Sequence, residues 1–262
     1  MTLTEIRRIG CVLALLGLYT TQVIAKEAGN NPAAAPEPPP PTNETSLQYK
    51  KLAPASVTYT ASLEKGLALN GSATRTLEAQ KDGTWLLRFN VDSFIADITE
   101  TLHFRWQNNH VIPLRYRYQL SGLLVPDRKN SLDYDWDKSQ VSGTIRGKRF
   151  TMGLPEGALD PLGYQFQLRE DLRAGKTDME YQVTDKARFE TDRFAVIGRE
   201  KLKTELGTLD TLKVEKVRAP DSKRETLMWF APDRDYMLVK LVQFETDGTR
   251  YEINIKNADL AR

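Results

Sequence analysis

His103 and His110 are the only imidazoles in this chain of 262 residues, Cys11 is its only thiol, and Asp133, Asp135 and Asp137 make an alternating run of carboxylates. A hydrolytic relay needs an imidazole held between a hydroxyl and an acid. His103 falls on the polar side of its strand pattern, His110 follows Asn108-Asn109, and no G-x-S-x-G occurs. Cys11 lies in the amino-terminal apolar segment, which leaves no disulfide framework, thiol catalysis or Cys-based metal site. Along an extended strand the three aspartates stand ~7 Å apart, too far to converge on a hard cation at ~2.3–2.6 Å. If the hairpin before them turns near Val125, Arg115 lies opposite Asp135 and Arg117 opposite Asp133. That makes a cross-strand ion ladder the reading of this run. No phosphate-cradling G-x-x-x-x-G-K-[ST] or G-x-G-x-x-G is present. No catalytic residue, metal ligand or cofactor is assigned. Paired carboxylates for sugar hydrolysis have no signal beyond the abundance of Asp and Glu.

The aromatic residues are more informative. Trp85, Phe89, Phe104, Trp106, Tyr116, Tyr118, Tyr134 and Trp136 all fall on the apolar faces of neighbouring strand patterns. One reading is an ordinary core. The other is a concave surface that holds an apolar ligand or a partner segment, with Trp85, Phe89, Phe104, Trp106, Tyr116, Tyr134 and Trp136 as the candidate ligand-binding residues. One helix of about fourteen residues is small cover for so wide a sheet, which motivates the cavity.

The elements that must position them are mostly strands. Trp85, Leu87, Phe89 and Val91 share one face, with Arg88, Asn90 and Asp92 on the other. Ile98, Leu102, Phe104 and Trp106 alternate with Thr99, Thr101, His103 and Arg105, and Leu114, Tyr116, Tyr118 and Leu120 with Arg115, Arg117 and Gln119. Leu132, Tyr134 and Trp136 repeat the pattern against the aspartates. A period of two with one apolar side is the mark of an antiparallel sheet between core and water. Lys81-Asp82-Gly83, Gln107-Asn108-Asn109, Arg146-Gly147-Lys148 and Asp247-Gly248 are short polar turns whose residues tolerate positive φ. Further strands are read at 177–183, 188–198, 211–218, 225–230, 237–244 and 250–255. The segment 225–230 is apolar on both sides, so it belongs in the centre of the sheet or under another element. Asp160 as cap, Pro161 at the first helical position, Leu162, Phe166, Leu168 and Leu172 at helical spacing and Gly175 as a left-handed stop predict a helix over 161–174. Gly163 weakens that helix by up to ~1 kcal/mol relative to alanine. The fold class is mainly β: a large curled antiparallel meander, a half-open or closed barrel, with one helix near 161–174.

The amino end reads as an address. Arg7 and Arg8 precede the apolar run Ile9–Ile24, sixteen residues, about 24 Å as a helix against a hydrocarbon core of roughly 30 Å. Val23-Ile24-Ala25 suits cleavage before Lys26, so residues 1–25 read as a secretory signal peptide, with an uncleaved signal anchor as the rival. Cys11 has no apolar run before it and does not read as a lipidation site. Residues 26–48 carry Pro32, Pro36 and Pro38–Pro41 and form a Pro-rich linker that cannot join a core. Asn43-Glu44-Thr45 matches a glycosylation triplet, without meaning in a bacterial protein. Residues 49–258 are read as a single β domain. Lys and Arg number 37 against 35 Asp and Glu, a net charge of +2, which argues against nucleic acid as a partner. The Arg and Tyr of 114–118 also fall on opposite faces.

The carboxy-terminal two thirds resembles a known family. Tyr134-Asp135-Trp136, Leu159-Asp160-Pro161-Leu162-Gly163-Tyr164-Gln165-Phe166-Gln167-Leu168, Phe194-Ala195-Val196-Ile197-Gly198, Leu206-Gly207-Thr208, and Trp229-Phe230-Ala231-Pro232-Asp233 carry the likeness. It is to a bacterial envelope family known only as the domain of unknown function numbered 3108, over roughly residues 50–257. The resemblance implies export and a mostly β fold, and brings no catalytic residue or cofactor. The expected function is non-enzymatic: a periplasmic protein, inner-membrane anchored through residues 9–24 if uncleaved, that binds an apolar or lipid-like ligand or an envelope protein segment on a concave β surface. Membrane contact is expected only through that uncleaved segment. A structural adaptor in an envelope complex is the alternative, and a hydrolase the third.

Overall fold

The computed structural model describes residues 51–65, 67–94, 96–122, 126–185 and 187–260. The signal segment, the Pro-rich linker and the Asn43 triplet lie outside the described residues. Fourteen strands follow in order: β1 (Ala55–Lys65), β2 (Leu67–Ala79), β3 (Trp85–Ser93), β4 (Asp97–Gln107), β5 (His110–Ser121), β6 (Arg128–Asp135), β7 (Gln140–Ile145) and β8 (Lys148–Gly153), then the helix α1 (Gly163–Arg173), then β9 (Asp178–Asp185), β10 (Arg188–Thr204), β11 (Gly207–Val217), β12 (Glu225–Ala231), β13 (Met237–Phe244) and β14 (Arg250–Leu260).

All fourteen lie in one sheet, ordered β8-β7-β6-β5-β4-β3-β2-β1-β14-β13-β12-β11-β10-β9. Every strand pairs antiparallel with its neighbour. The sheet is mainly antiparallel β and not closed. The chain runs outward from β1 to the β8 edge, crosses through α1 to the β9 edge, and returns until β14 lies beside β1. Leu154 N–H donates to Ser139 O at 2.8 Å as the chain leaves β8. Leu159 then makes a parallel bridge to Val183 on β9, with Leu159 N–H to Gln182 O and Thr184 N–H to Leu159 O, both 2.9 Å. The crossing segment thus satisfies part of one exposed edge, the place where a sheet is prone to wrong pairing.

The tight turns follow from residues that tolerate positive φ. Asn108 and Asn109 have φ of 52° and 59°, and Arg146-Gly147 have 51° and 79°, the two-residue geometry that matches strand twist. The segment 225–230, expected to be covered on both sides, is β12 between β11 and β13. Phe230 faces inward, and outside, Trp229 is 5% exposed. Its ring lies under Lys213 and Lys240 at 5.3 and 5.4 Å, and its Nε1–H donates to Glu200.

One register expectation is corrected. Arg115 pairs across from Asp133, and Arg117 from Ser131, two residues from the expected alignment. A shift of two keeps every side chain on its face, so the ion ladder survives with other partners. Asp133 accepts from Arg115 Nε at 3.2 Å and Arg117 Nη2 at 2.8 Å, while Asp135 pairs with Lys138 at 2.7 Å. Asp137 lies beyond the end of β6, in the turn to β7.

The helix begins at Gly163, two residues later than expected, and ends at Arg173. Asp160 is its cap all the same. Its Oδ1 accepts from Leu162 N–H at 2.9 Å and Gly163 N–H at 3.0 Å, and its carbonyl accepts from Tyr164 N–H at 3.1 Å. At the other end Gly175, at φ +85°, donates to Leu172 O and Lys176 donates to Asp171 O, each at 3.0 Å. This pair of bonds is a Schellman stop. Gly163 has a packing reason: a Cβ there would stand 2.6 Å from Asp160 Oδ2 and 3.2 Å from Leu102 Cδ2. Gly163→Ala is therefore expected to lose stability, by about 1–3 kcal/mol of overpacking, although alanine is the better helix former. A urea midpoint equal to or above that of the parent would contradict this.

Candidate functional site

The concave face of the sheet is occupied by α1. Phe166 packs on Phe104 and Trp106 at centroid distances of 5.7 and 5.9 Å, and Tyr164 stacks on Phe194 of β10 at 5.3 Å. Gln167 accepts from Val111 N–H at 2.9 Å and donates to Asn109 O at 3.1 Å. Gln165 accepts from Arg75 Nη2 at 2.5 Å. Arg169 reaches Asp235 on the turn between β12 and β13. An eleven-residue helix touches so many strands because the sheet curls around it, which a flat sheet of this width would not allow.

This decides where the seven candidate aromatic residues lie. Phe104 and Trp106 form the seat of α1. Tyr116 donates to Glu100 at 2.6 Å, and Tyr134 shares a 3.0 Å hydrogen bond with Thr184. Trp136 stacks on Tyr134 at 6.4 Å and donates to Pro113 O at 2.6 Å. Trp85 is half-buried against the same core. Phe89 lies under the guanidinium of Arg75, 5.3 Å from its ring centre. They form a continuous wall, but the wall faces protein. None of the seven lines the cavity beside α1.

That cavity, about 40 Å³, lies at the seam between α1 and two parts of the sheet. Val57 and Tyr59 of β1, Leu77 of β2 and Leu87 of β3 form one side. Phe166 of α1 forms another, and Phe230, Met237 and Leu238 close it from β12 and β13. It has room for a few water-sized groups and is smaller than the ~150 Å³ that admits benzene. Arg75, Gln165 and Arg169 bring the polar side chains to this lining besides the Tyr59 hydroxyl, which is satisfied by Leu238 O at 3.1 Å.

The two arginines differ. Arg169 is tied down at the rim: Nε donates to Asp235 O at 2.9 Å and Nη2 to Asp235 Oδ2 at 2.5 Å, while Arg173 reaches the same carboxylate at 2.8 Å. The turn that presents this carboxylate has two successive non-glycine residues at positive φ, Asp235 at 59° and Tyr236 at 54°. Asp tolerates this conformation, but for Tyr236 it costs about 1–2 kcal/mol, so the latch is held against strain at that residue. Arg75, by contrast, stands on the inward face of β2 between Ala73 and Leu77. Its Nη2 meets Gln165, and its Nε is buried without a hydrogen-bond partner.

Acids are buried deeper in the curl. Glu100, 1% exposed, stands on the inward face of β4 between Ile98 and Leu102. Burial raises its pKa, opposed by the Tyr116 hydrogen bond and by Arg75. Asp160 is fully buried, and burial pushes its carboxyl up to about 7 despite the N–H groups of Gly163 and Leu162, with Glu100 adding to the rise. On β10 and β11 the buried pair Asp192–Lys216 meets at 2.6 Å, and desolvation dominates both, raising the acid and lowering the amine. Arg75 and Glu100 escape a reading based on residue type, but their parity along β2 and β4 assigns them inward, and that was the available signal.

The imidazoles are not arranged for nucleophilic catalysis. His103 Nε2 contacts Thr84 Oγ1 at 2.5 Å, and Thr84 Oγ1 meets Asp82 Oδ1 at 2.5 Å. The hydroxyl, not the imidazole, sits in the middle. Its one proton serves the carboxylate, and the acid does not polarise the imidazole as a relay requires. The two bonds from Thr84 hold Asp82 below the usual carboxylate range. His110 Nδ1 contacts Asn108 O at 2.7 Å, on the surface.

Asp160 makes stability depend on pH. The folded chain keeps this proton up to about pH 7, whereas the unfolded acid loses it near its ordinary 3.8. Between those values the folded state holds the extra proton, so stability falls as pH rises through the window and levels off above it, by at most about 1.4 kcal/mol per pH unit. Asp160→Asn keeps the capping oxygen and removes the titration. The urea midpoint of the parent should drop between pH 5 and 7.5, and the variant should show a shallower slope, with the remainder from Glu100. Equal slopes would remove Asp160 as the source.

Comparison with known proteins supports the fold. The chain is similar to a solved β-barrel-like protein of domain of unknown function DUF1849 from Brucella abortus, at 11% identity and a TM-score of 0.55, covering 81% of this chain and 99% of that one. LprF from Mycobacterium bovis aligns over 77% of this chain and 85% of its own at 12% identity, with a TM-score of 0.26. A putative outer membrane lipoprotein-sorting protein domain from Vibrio parahaemolyticus aligns over 79% and 85% at 14% identity, with a TM-score of 0.20. The first likeness shows a shared fold alone, and the other two are too distant to carry any argument. No curated protein matches the chain. The sequence pattern of the family described as protein of unknown function, DUF3108, matches residues 56–256 of the 262, and the chain belongs to that family.

Proposed function

We propose that this chain is an exported, non-enzymatic binding protein of the bacterial envelope, and that an apolar or lipid-like ligand enters its curl at the seam between α1 and the wall of β1, β2, β3, β12 and β13. The observation that carries the reading is the cavity itself, which lies beside α1, is apolar on several sides and is rimmed by a salt-bridged latch. The export signal read in residues 1–25 supports the location. The order Asp82–Thr84–His103 supports binding rather than hydrolysis.

At about 40 Å³ the cavity takes a methyl end or a small head group, far below the roughly 300 Å³ at which small-molecule pockets begin. A longer ligand therefore requires α1 to swing at its C-terminal half. Arg169 and Arg173 at Asp235 hold that half, and the strained turn at 235–236 lets it go. Asp235→Asn keeps a residue that tolerates positive φ and removes the charge, so exchange of an alkyl ligand should be faster, read by stopped-flow displacement of a fluorescent fatty acid.

Native mass spectrometry of the protein purified from envelopes should show an apolar adduct. Val57→Phe, which fills the lining, should lose the adduct while keeping the far-ultraviolet spectrum of a β protein. A parent protein with no adduct and no affinity for alkyl probes would end this reading.

A structural adaptor remains a second reading because of β8. Lys148, Arg149, Thr151 and Gly153 are exposed on this edge, whereas the β9 edge is partly covered by Leu159. A partner strand would add to β8. Co-purification of one protein partner, lost on substituting Thr151 by proline, would favour it.

A further inference from the structure

Arg75 carries an inference that rests on the binding reading above and narrows it. A guanidinium on the inward face of a sheet, among Ala73, Leu77 and Phe89, is costly to bury unless its donors are used. One donor serves Gln165 and the face lies on Phe89, but the buried Nε–H serves nothing among the described residues. A buried, unmet charged donor costs more than a missing contact.

The interior does not supply the acceptor. Glu100 lies within electrostatic reach of Arg75, but its Oε2 accepts from Tyr116 and neither of its oxygens meets the Arg75 Nε–H. The Tyr59 hydroxyl points its proton at Leu238 O. The other lining guanidinium, Arg169, has its Nε and Nη2 engaged by Asp235. Arg75 therefore carries a buried donor with no acceptor, and the rest of the lining, Leu77, Leu87, Met237 and Leu238 included, is suited to a hydrocarbon chain.

We infer that the ligand of this cavity is a single-chain amphiphile with an oxyanion head, a carboxylate or a phosphate, whose head accepts from Arg75 while its chain lies along the apolar lining that the swing of α1 opens. A neutral lipid leaves the Nε–H unmet, and a small free anion leaves the apolar lining unused. Charge and lining together select the amphiphile. The role is in recognition alone, and no bond is made or broken.

Calorimetric titration at pH 7.5 with three probes separates the terms: decanoate, with head and chain; 1-decanol, with chain alone; and acetate, with head alone. Protein stripped of apolar adducts should bind decanoate at least about tenfold more tightly than decanol, the scale of one hydrogen bond to a charged group, and acetate weakest of all. Arg75→Gln should bring decanoate down to the level of decanol and leave decanol unchanged. Arg75→Lys, which keeps the charge without the planar fork, should fall between. Equal affinity of decanoate and decanol for the parent would overturn the oxyanion assignment and leave the apolar reading standing. Acetate binding as tightly as decanoate would overturn the amphiphile and mark a small-anion site. Binding by none of the three would bring down this inference together with the function it rests on. The parent comparison needs no variant, so a misfolded Arg75 substitution would not spare the proposal.

Discussion

The inward face of an unclosed antiparallel sheet has to be buried by something, and in this protein that something is α1. Fourteen strands curl about eleven helical residues, and the aromatic residues of β4 find their partner in Phe166 rather than in a second sheet. The helix is held by polar contacts as well as by area. Gln165, Gln167 and Asp171 are buried on it, and each has partners: Pro161 O and Arg75 for the first, Val111, Asn109 and Asp171 for the second, Lys176 and Tyr181 for the third. Hydrogen bonds are directional where apolar contact is not. They set where in the curl the helix lies, which burial alone would leave loose.

The same placement explains why the interior is so heavily charged. Arg75, Glu100, Asp160, Asp192 and Lys216 all stand at inward positions. Buried pairs such as Asp192–Lys216 add little net stability against apolar replacements, but losing one member is costly. Such groups therefore act as selectors of one arrangement over others. Asp160 shows the balance in one side chain. It caps α1 through Oδ1 and so aligns the helix; those bonds favour the ionised acid, yet its burial outweighs them and lifts its pKa to about 7.

The seam left between α1 and the wall is where the two demands do not quite meet. The helix covers β4, β5 and β10 closely, but between β1, β2 and β13 it leaves room beside Arg75. The rim there is closed by ion pairs to a turn with two left-handed residues, not by close apolar packing.

Much of the architecture was legible in the sequence because side-chain direction is a local property. Alternation along Trp85–Val91 and Ile98–Trp106 assigned the faces of β3 and β4 without knowledge of their neighbours. Asn108-Asn109 and Arg146-Gly147 marked turns because few residue types accept positive φ. Asp160 and Gly175 marked the ends of α1 because helix ends leave backbone groups that need partners. The family likeness lay in those same turn and core segments. What the sequence could not decide was partnership. Arg115 facing Asp133 rather than Asp135 differs by two residues, which leaves every face unchanged, so alternation has no power to choose. Which aromatic residues would meet α1 and which side chains would line a cavity depended on how far the sheet curls. That is a sum of small twists over fourteen strands, and only the folded chain performs it.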